Sequence, residues 1–170
     1  MENFKLTTFV TIQGISSASG LVYSQNVLFV ISDSSNFLYQ FDIDKKLLLK
    51  FPLVKDAKEN IEKAEKPDLE SITQHGNQLI MLGSGSTQKR NTMFSLDLSS
   101  DALQSQDLSA LYQKLKIVGS FTDDQLNIEG AIYAHQTMLL FQRGNSKNSR
   151  NGIFRSEERR VGKECLRLCR

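Results

Sequence analysis

Apolar and polar positions between residues 19 and 154 fall into three segments built on one plan. Each opens with a short strand-like stretch: Ser19–Tyr23, Leu69–Thr73 and Ile128–Ile132. A nearly continuous apolar run follows in each, Val27–Ile31, Leu79–Leu82 and Met138–Phe141, as expected of a strand covered on both faces. The third stretch alternates. Phe37, Tyr39 and Phe41 fall on one face, Leu38 and Gln40 on the other, with counterparts at Thr92–Asp97 and Gly152–Phe154. Ser24-Gln25-Asn26 and His75-Gly76-Asn77 carry tight-turn chemistry between the first two strands. A fourth, outer strand is predicted at Leu47–Phe51 and again at Leu115–Val118.

Aligning Gly20, Ser71 and Gly130 gives spacings of 51 and 59 residues, enough for four antiparallel strands and their connections. The fold predicted is all-β: an incomplete β-propeller of about three four-stranded antiparallel blades, with one short helical insert. The blades are placed at 15–54, 67–118 and 126–154, the third truncated. An ordinary meander or sandwich with coincidental similarity is the alternative. Because propellers use four or more blades, the segment is expected to be part of a longer toroid. The charged stretch Lys55–Lys66 reads as an insert, either a helical turn or a solvated loop. In Asp107–Leu115, Leu108, Leu111, Tyr112 and Leu115 share a helical face behind an Asp cap, which predicts the helix.

Charge changes the picture at one end. The formal net charge is +2, but residues 155–170 hold six Lys/Arg and three Asp/Glu, leaving fifteen and sixteen in residues 1–154. So balanced a body offers no footprint for nucleic acid or an anionic membrane. With no basic segment followed by an apolar one at the N-terminus, and only strand-sized apolar runs, a cytoplasmic location is expected. Both cysteines, Cys165 and Cys169, lie in the basic tail. Arg155 to Cys165 resembles the in-frame translation of a common short-read sequencing adapter. The tail 155–170 is accordingly read as non-native and disordered, leaving the body without cysteine.

Several phrases carry a resemblance to a known family: Ala18-Ser19-Gly20, Lys66-Pro67-Asp68-Leu69-Glu70-Ser71, Leu82-Gly83-Ser84-Gly85-Ser86, Leu126-Asn127-Ile128-Glu129-Gly130 and Phe141-Gln142-Arg143-Gly144-Asn145. Together they resemble an uncharacterised bacterial β-propeller family, a domain of unknown function, over residues 10–154. More distantly, the Glu-Ser or Glu-Gly step opening a blade is similar to esterase-like phytase and gluconolactonase-type propellers. That resemblance implies glutamates at the channel mouth, sometimes around calcium.

Blade geometry places a candidate site without any family. In an antiparallel blade the start of the first strand and the end of the second share one rim. Glu70 and Glu129 open inner strands; Asp33, Ser84 and Arg143 end the neighbouring ones, with Asn145 just beyond. Glu70, Glu129 and Asp33 form a candidate set for a hard cation such as calcium, the one cofactor suggested. Alternatively the carboxylates pair with Arg143 and orient a polar ligand, or act as acid and base in hydrolysis. Arg90, with Lys89, is placed to meet an anionic group. Structural roles compete: the glutamates could staple neighbouring blades, and Asp33 could cap Ser34-Ser35-Asn36. His75 and His135 fall in turns at the opposite rim. Gly83-Ser84-Gly85-Ser86 lacks the Lys-Ser/Thr helix of a phosphate loop. Two readings follow: a propeller binding a small polar ligand or a protein partner at an acidic mouth, and a divalent-cation-dependent hydrolase of phytase-like or lactonase-like type. Whether the protein is an enzyme is left open by the sequence.

Overall fold

A computed structural model describes residues 6–144, 150–157 and 165–169, the last five and Glu157 by backbone only. Among the described residues, twelve strands make three antiparallel sheets. The first holds β1 (Ala18–Ser24), β2 (Val27–Ser32), β3 (Phe37–Asp42) and β4 (Leu47–Pro52), paired in that order. The second holds β5 (Leu69–His75), β6 (Gln78–Gly83), β7 (Thr92–Asp97) and β8 (Leu103–Asp107). The third holds β9 (Ile128–Ala134), β10 (Thr137–Gln142), β11 (Gly152–Glu157) and β12 (Cys165–Cys169). The first strands of successive sheets, β1, β5 and β9, lie side by side. The described residues therefore form a fan of propeller blades whose sheets are not closed into a ring.

Local chemistry explains the meander. Gln25 and Asn26, and likewise His135 and Gln136, all take positive φ, the conformation of a two-residue turn that matches strand twist. The alternating side chains of each blade then fill two layers. Phe29, Ile31, Leu38, Leu69, Ile72, Leu79 and Met81 pack between the first and second sheets. Leu82, Leu126, Ile128, Ala131, Leu140 and Phe154 pack between the second and third, under a helix α1 (Ser109–Gly119) that contributes Tyr112 and Leu115. The Tyr112 hydroxyl donates to the Gly83 carbonyl at 2.6 Å, tying the helix to the end of β6.

Several details refine or differ from the sequence expectation. Leu115–Val118 is the last turn of α1, and the outer strand of the second blade is Leu103–Asp107 instead. Leu-Gln-Ser-Gln-Asp carries one apolar residue, too weak a pattern to read as a strand, yet an edge strand exposed to water needs no more. The residue at the cap position is Leu108, with no side-chain capping bond; the expected Asp lies one residue earlier, where Asp107 Oδ1 accepts the Ser109 amide at 2.8 Å. Lys55–Lys66 contains no helix or strand; its Ile61 amide bonds the Ser34 carbonyl and its Glu59 carboxylate accepts the Tyr39 hydroxyl at 2.6 Å. The tail 155–170 is not disordered throughout. Arg155–Glu157 completes β11, and Cys165–Cys169 pairs with it, Phe154 opposite Leu168. Backbone pairing at an open sheet edge asks little of the sequence that is added there.

Candidate functional site

The three blades share an irregularity where their first strands begin. The ladder of β1 with β2 skips Ser19, that of β5 with β6 skips Glu70, and that of β9 with β10 skips Glu129. Each skipped residue is the extra residue of a β-bulge, which bends the strand and re-aims one side chain. The bulges sit at one end of neighbouring strands, so Ser19, Glu70 and Glu129 occupy equivalent places on a shared rim. Backbone bonds run along this rim between blades: the Asp68 amide donates to the Asp33 carbonyl at 3.1 Å and the Ile128 amide to the Ser84 carbonyl at 2.8 Å. Ser19 Oγ adds a bond to the Leu69 carbonyl at 2.5 Å.

Around Glu70 lies a network of compensated charges. Lys66 Nζ bridges Asp33 Oδ2 at 2.5 Å and Asp68 Oδ1 at 2.7 Å. Asp68, buried, also takes Arg90 Nη1 at 3.0 Å and the Ser84 hydroxyl at 2.6 Å on its other oxygen. Ser86 joins the hydroxyl of Ser84 at 2.8 Å and accepts from Arg90 at 2.8 Å. On the third blade, Glu129 accepts Asn127 Nδ2 at 2.5 Å and pairs with Arg143 at 3.2 Å. Glu70 differs from all of these. It is half-buried and has no hydrogen-bond or ion-pair partner among the described residues. Burial, then the charges of Glu129, Asp68 and Asp33, push its carboxyl up to about 7, with Lys66 pulling the other way. Asp33 Oδ1 is likewise buried without a partner.

The structure brings Asp33, Glu70, Ser84, Arg90, Glu129 and Arg143 to one rim, while Asn145 lies outside the described residues. Lys89 sits apart, paired with exposed Glu65 at 2.5 Å. The expected cation set changes membership. Carboxylate oxygens of Asp33, Asp68 and Glu70 lie within 4.8 Å of one another, whereas Glu129 is engaged by Arg143 and Asn127. Among the described residues neither glutamate bonds a neighbouring blade, whereas Ser19 and the backbone bonds do. Asp33 does not cap its turn either, since the Phe37 amide bonds Ser35 Oγ and the Ser34 amide bonds Ser32 Oγ. His75 ends β5 at the far rim, stacked on Tyr133 at 3.8 Å, and His135 lies in the turn between β9 and β10. Lys66 and Asp68 were missed as site residues. The phrase Lys66-Pro67-Asp68-Leu69-Glu70 held the signal, because three charges within five residues precede a buried strand. Beside Glu129 and Arg143 an open groove of about 760 Å³ runs along the outer flank of the third sheet, past Gly130, Phe141 and Ile153.

Comparison with known proteins gives a family and a fold. Residues 14–167 match a family described as a family of unknown function, DUF6929. No curated protein sequence matches the chain. Among solved structures, the crystal structure of the N-terminal domain of Nup159 is similar with a TM-score of 0.52 and 11% identity, over 89% of this chain and 37% of that one. The chain thus spans little more than a third of that structure's length, and a likeness at this identity speaks for the fold alone. Neither match bears on the phytase-like and gluconolactonase-type propellers. Among the described residues, no helix is long and apolar enough to cross a membrane.

Proposed function

Since the chain belongs to DUF6929, a family of unknown function, we propose a role from the chemistry of the rim itself: a propeller module that binds a small, polar, positively charged ligand at Glu70. One observation carries the reading. Glu70 is the rim carboxyl left without a partner among the described residues, held near neutrality beside carboxylates that Lys66, Arg90 and Arg143 already compensate. A half-buried acid in that state gains most from an incoming cation, which supplies the missing partner and stabilises the ionised form. Glu129 across the rim adds attraction, and the buried Asp68 network fixes the strand openings. Binding would then expel the proton that Glu70 holds near pH 7.

Calorimetric titration of organic monocations such as methylammonium, guanidinium and choline at pH 7 tests this. Heats should differ between phosphate and HEPES buffers in proportion to the proton released, and both binding and proton release should vanish in Glu70→Gln. Binding that survives unchanged in Glu70→Gln would refute the assignment.

A second reading, the divalent-cation-dependent hydrolase, rests on the close approach of Asp33, Asp68 and Glu70. Against it stands Lys66, whose ammonium already lies between Asp33 and Asp68. A calcium ion would have to displace it. Calcium titration combined with phosphomonoester and lactone turnover assays separates the two readings: calcium-dependent turnover would favour the hydrolase over the cation-binding module.

A further inference from the structure

The outermost strands of the first two blades differ in kind. β8 carries one apolar residue, partly covered Leu103, followed by exposed Gln104, Ser105, Gln106 and Asp107. β4, at the same place in the first blade, reads Leu47-Leu48-Leu49-Lys50-Phe51-Pro52. Cross-strand pairing assigns its faces. Leu49 lies opposite Gln40 and Gln40 opposite Phe29; Leu47 lies opposite Asp42 and Asp42 opposite Val27. Phe29 and Val27 belong to the core between the first and second sheets, so Leu47, Leu49 and Phe51 share the face turned toward the second blade. Phe51 packs against that core, whereas Leu47 and Leu49 stay 47% and 53% exposed. Both blades that border this surface have all four strands among the described residues, so its exposure owes nothing to a blade before or after them.

The backbone of β4 is open as well. The strand ends its sheet, and no backbone hydrogen bond from outside the sheet reaches Leu47–Pro52 among the described residues. Amides and carbonyls along such an edge pair readily with an added extended segment. Charge says which segment. Residues 45–55 hold four lysines and no carboxylate. Lys45 pairs with Asp42 at 3.0 Å and Lys50 with Glu59 at 2.6 Å. Lys46 and Lys55, one beyond each end of β4, have no ion-pair partner among the described residues, and Asp44 and Asp56 lie farther out along the chain. Two copies of this edge pairing antiparallel would bring lysine against lysine at both ends, which disfavours a second copy.

We propose that β4 is a docking edge for an extended segment of a partner protein, apolar in its middle and acidic at both ends. The segment adds as a fifth strand. Its apolar side chains extend the row of Leu47, Leu49 and Phe51, and its carboxylates meet Lys46 and Lys55. Nothing in this depends on what the rim binds.

The probe is a fluorescently labelled peptide, Glu-Glu-Ile-Thr-Ile-Thr-Ile-Glu-Glu, titrated with the full chain and followed by polarisation. Saturable binding is expected, weakening with added salt. Leu49→Glu should weaken it about tenfold or more, and Lys46→Glu and Lys55→Glu roughly threefold each. All three side chains are exposed, and far-ultraviolet circular dichroism checks that the sheets persist. A peptide with lysine in place of every glutamate, and one N-methylated at every isoleucine and threonine, should not bind. Hydrogen exchange should slow at β4 amides on binding and stay unchanged at β8. Glu70→Gln should bind the peptide as the wild type does, which separates this edge from the rim. No saturable signal by about 1 mM peptide would overturn the proposal. So would equal binding of the N-methylated peptide, indifference to Leu49→Glu, or protection at β8 in place of β4. A wild-type dimer in light scattering that Leu49→Glu abolishes would assign the edge to a second copy and equally overturn it.

Discussion

Replacing Glu70 by Gln keeps the shape of the side chain and removes its ability to ionise, which isolates the cost of a half-buried charge. Its carboxyl titrates near 4.5 in the unfolded chain and about 7 in the fold. Below both values the group is protonated in either state and contributes nothing to the pH dependence. As pH rises from 4.5 to 7 the unfolded chain loses its proton first, so the fold is progressively disfavoured; above about 7 the loss is complete and constant. At about 1.4 kcal/mol per pKa unit the ceiling is about 3 kcal/mol, and solvent reaching a half-buried carboxyl reduces this to about 1–2 kcal/mol. Glu70→Gln should therefore match the wild type at pH 4 and exceed it at pH 8 by that amount, about 2–8 °C in melting temperature for a domain of this size. Urea unfolding of both proteins at the two pH values measures the gap, and titrating groups remote from the rim cancel in the difference. A gap that does not change with pH, or a wild type more stable at pH 8, would refute the placement of Glu70 among uncompensated charge.

Other perturbations probe the surroundings of that carboxyl. Lys66→Met strips the bridge from Asp33 and Asp68, leaving carboxylates largely withdrawn from water, and should cost roughly 3 kcal/mol in urea unfolding. In that variant, millimolar calcium should recover part of the loss, because the carboxylates that Lys66 occupied become available; the wild type should not respond. Tyr112→Phe leaves the Gly83 carbonyl without its buried donor and should cost about 1–2 kcal/mol in thermal unfolding, with the far-ultraviolet spectrum unchanged.

The blade plan was legible because its strands carry strong, different periods: a continuous apolar run for the middle strand and alternation for the third. β8 was not, since an edge strand needs little hydrophobicity and Gln104, Ser105 and Gln106 show none. The apolar face of Leu111, Tyr112 and Leu115 gave the helix, but Ile117 and Val118, exposed on its last turn, mimic a strand. At the site, the positions of Glu70 and Glu129 followed from antiparallel geometry alone. The partners of Asp33 and Asp68 did not, because Lys66 and Arg90 reach them from two different loops, and pairing across loops leaves no periodic trace. The bulges were equally silent: a one-residue slip in a ladder depends on backbone geometry, although the spacing of Ser19, Glu70 and Glu129 from their strand partners contains it in retrospect.

The first blade shows why the other two differ. At the same bulge it carries Ser19, whose hydroxyl donates to the Leu69 carbonyl of the next blade. An ionised carboxylate has no proton to donate there and would face that carbonyl as one acceptor against another. Putting Glu at the bulge therefore forgoes the staple and aims an acidic side chain along the rim, where Glu129 finds Arg143 and Glu70 finds no partner among the described residues. Stability alone favours serine at position 70: Glu70→Ser should restore a donor toward the third blade and raise the unfolding midpoint at pH 8 by at least as much as Glu70→Gln. If the serine variant were stable yet unable to bind the monocations that the wild type binds, the carboxylate would be retained at a cost to the fold, as expected of a residue kept for a ligand. A serine variant less stable than the wild type at pH 8 would instead make Glu70 part of the scaffold.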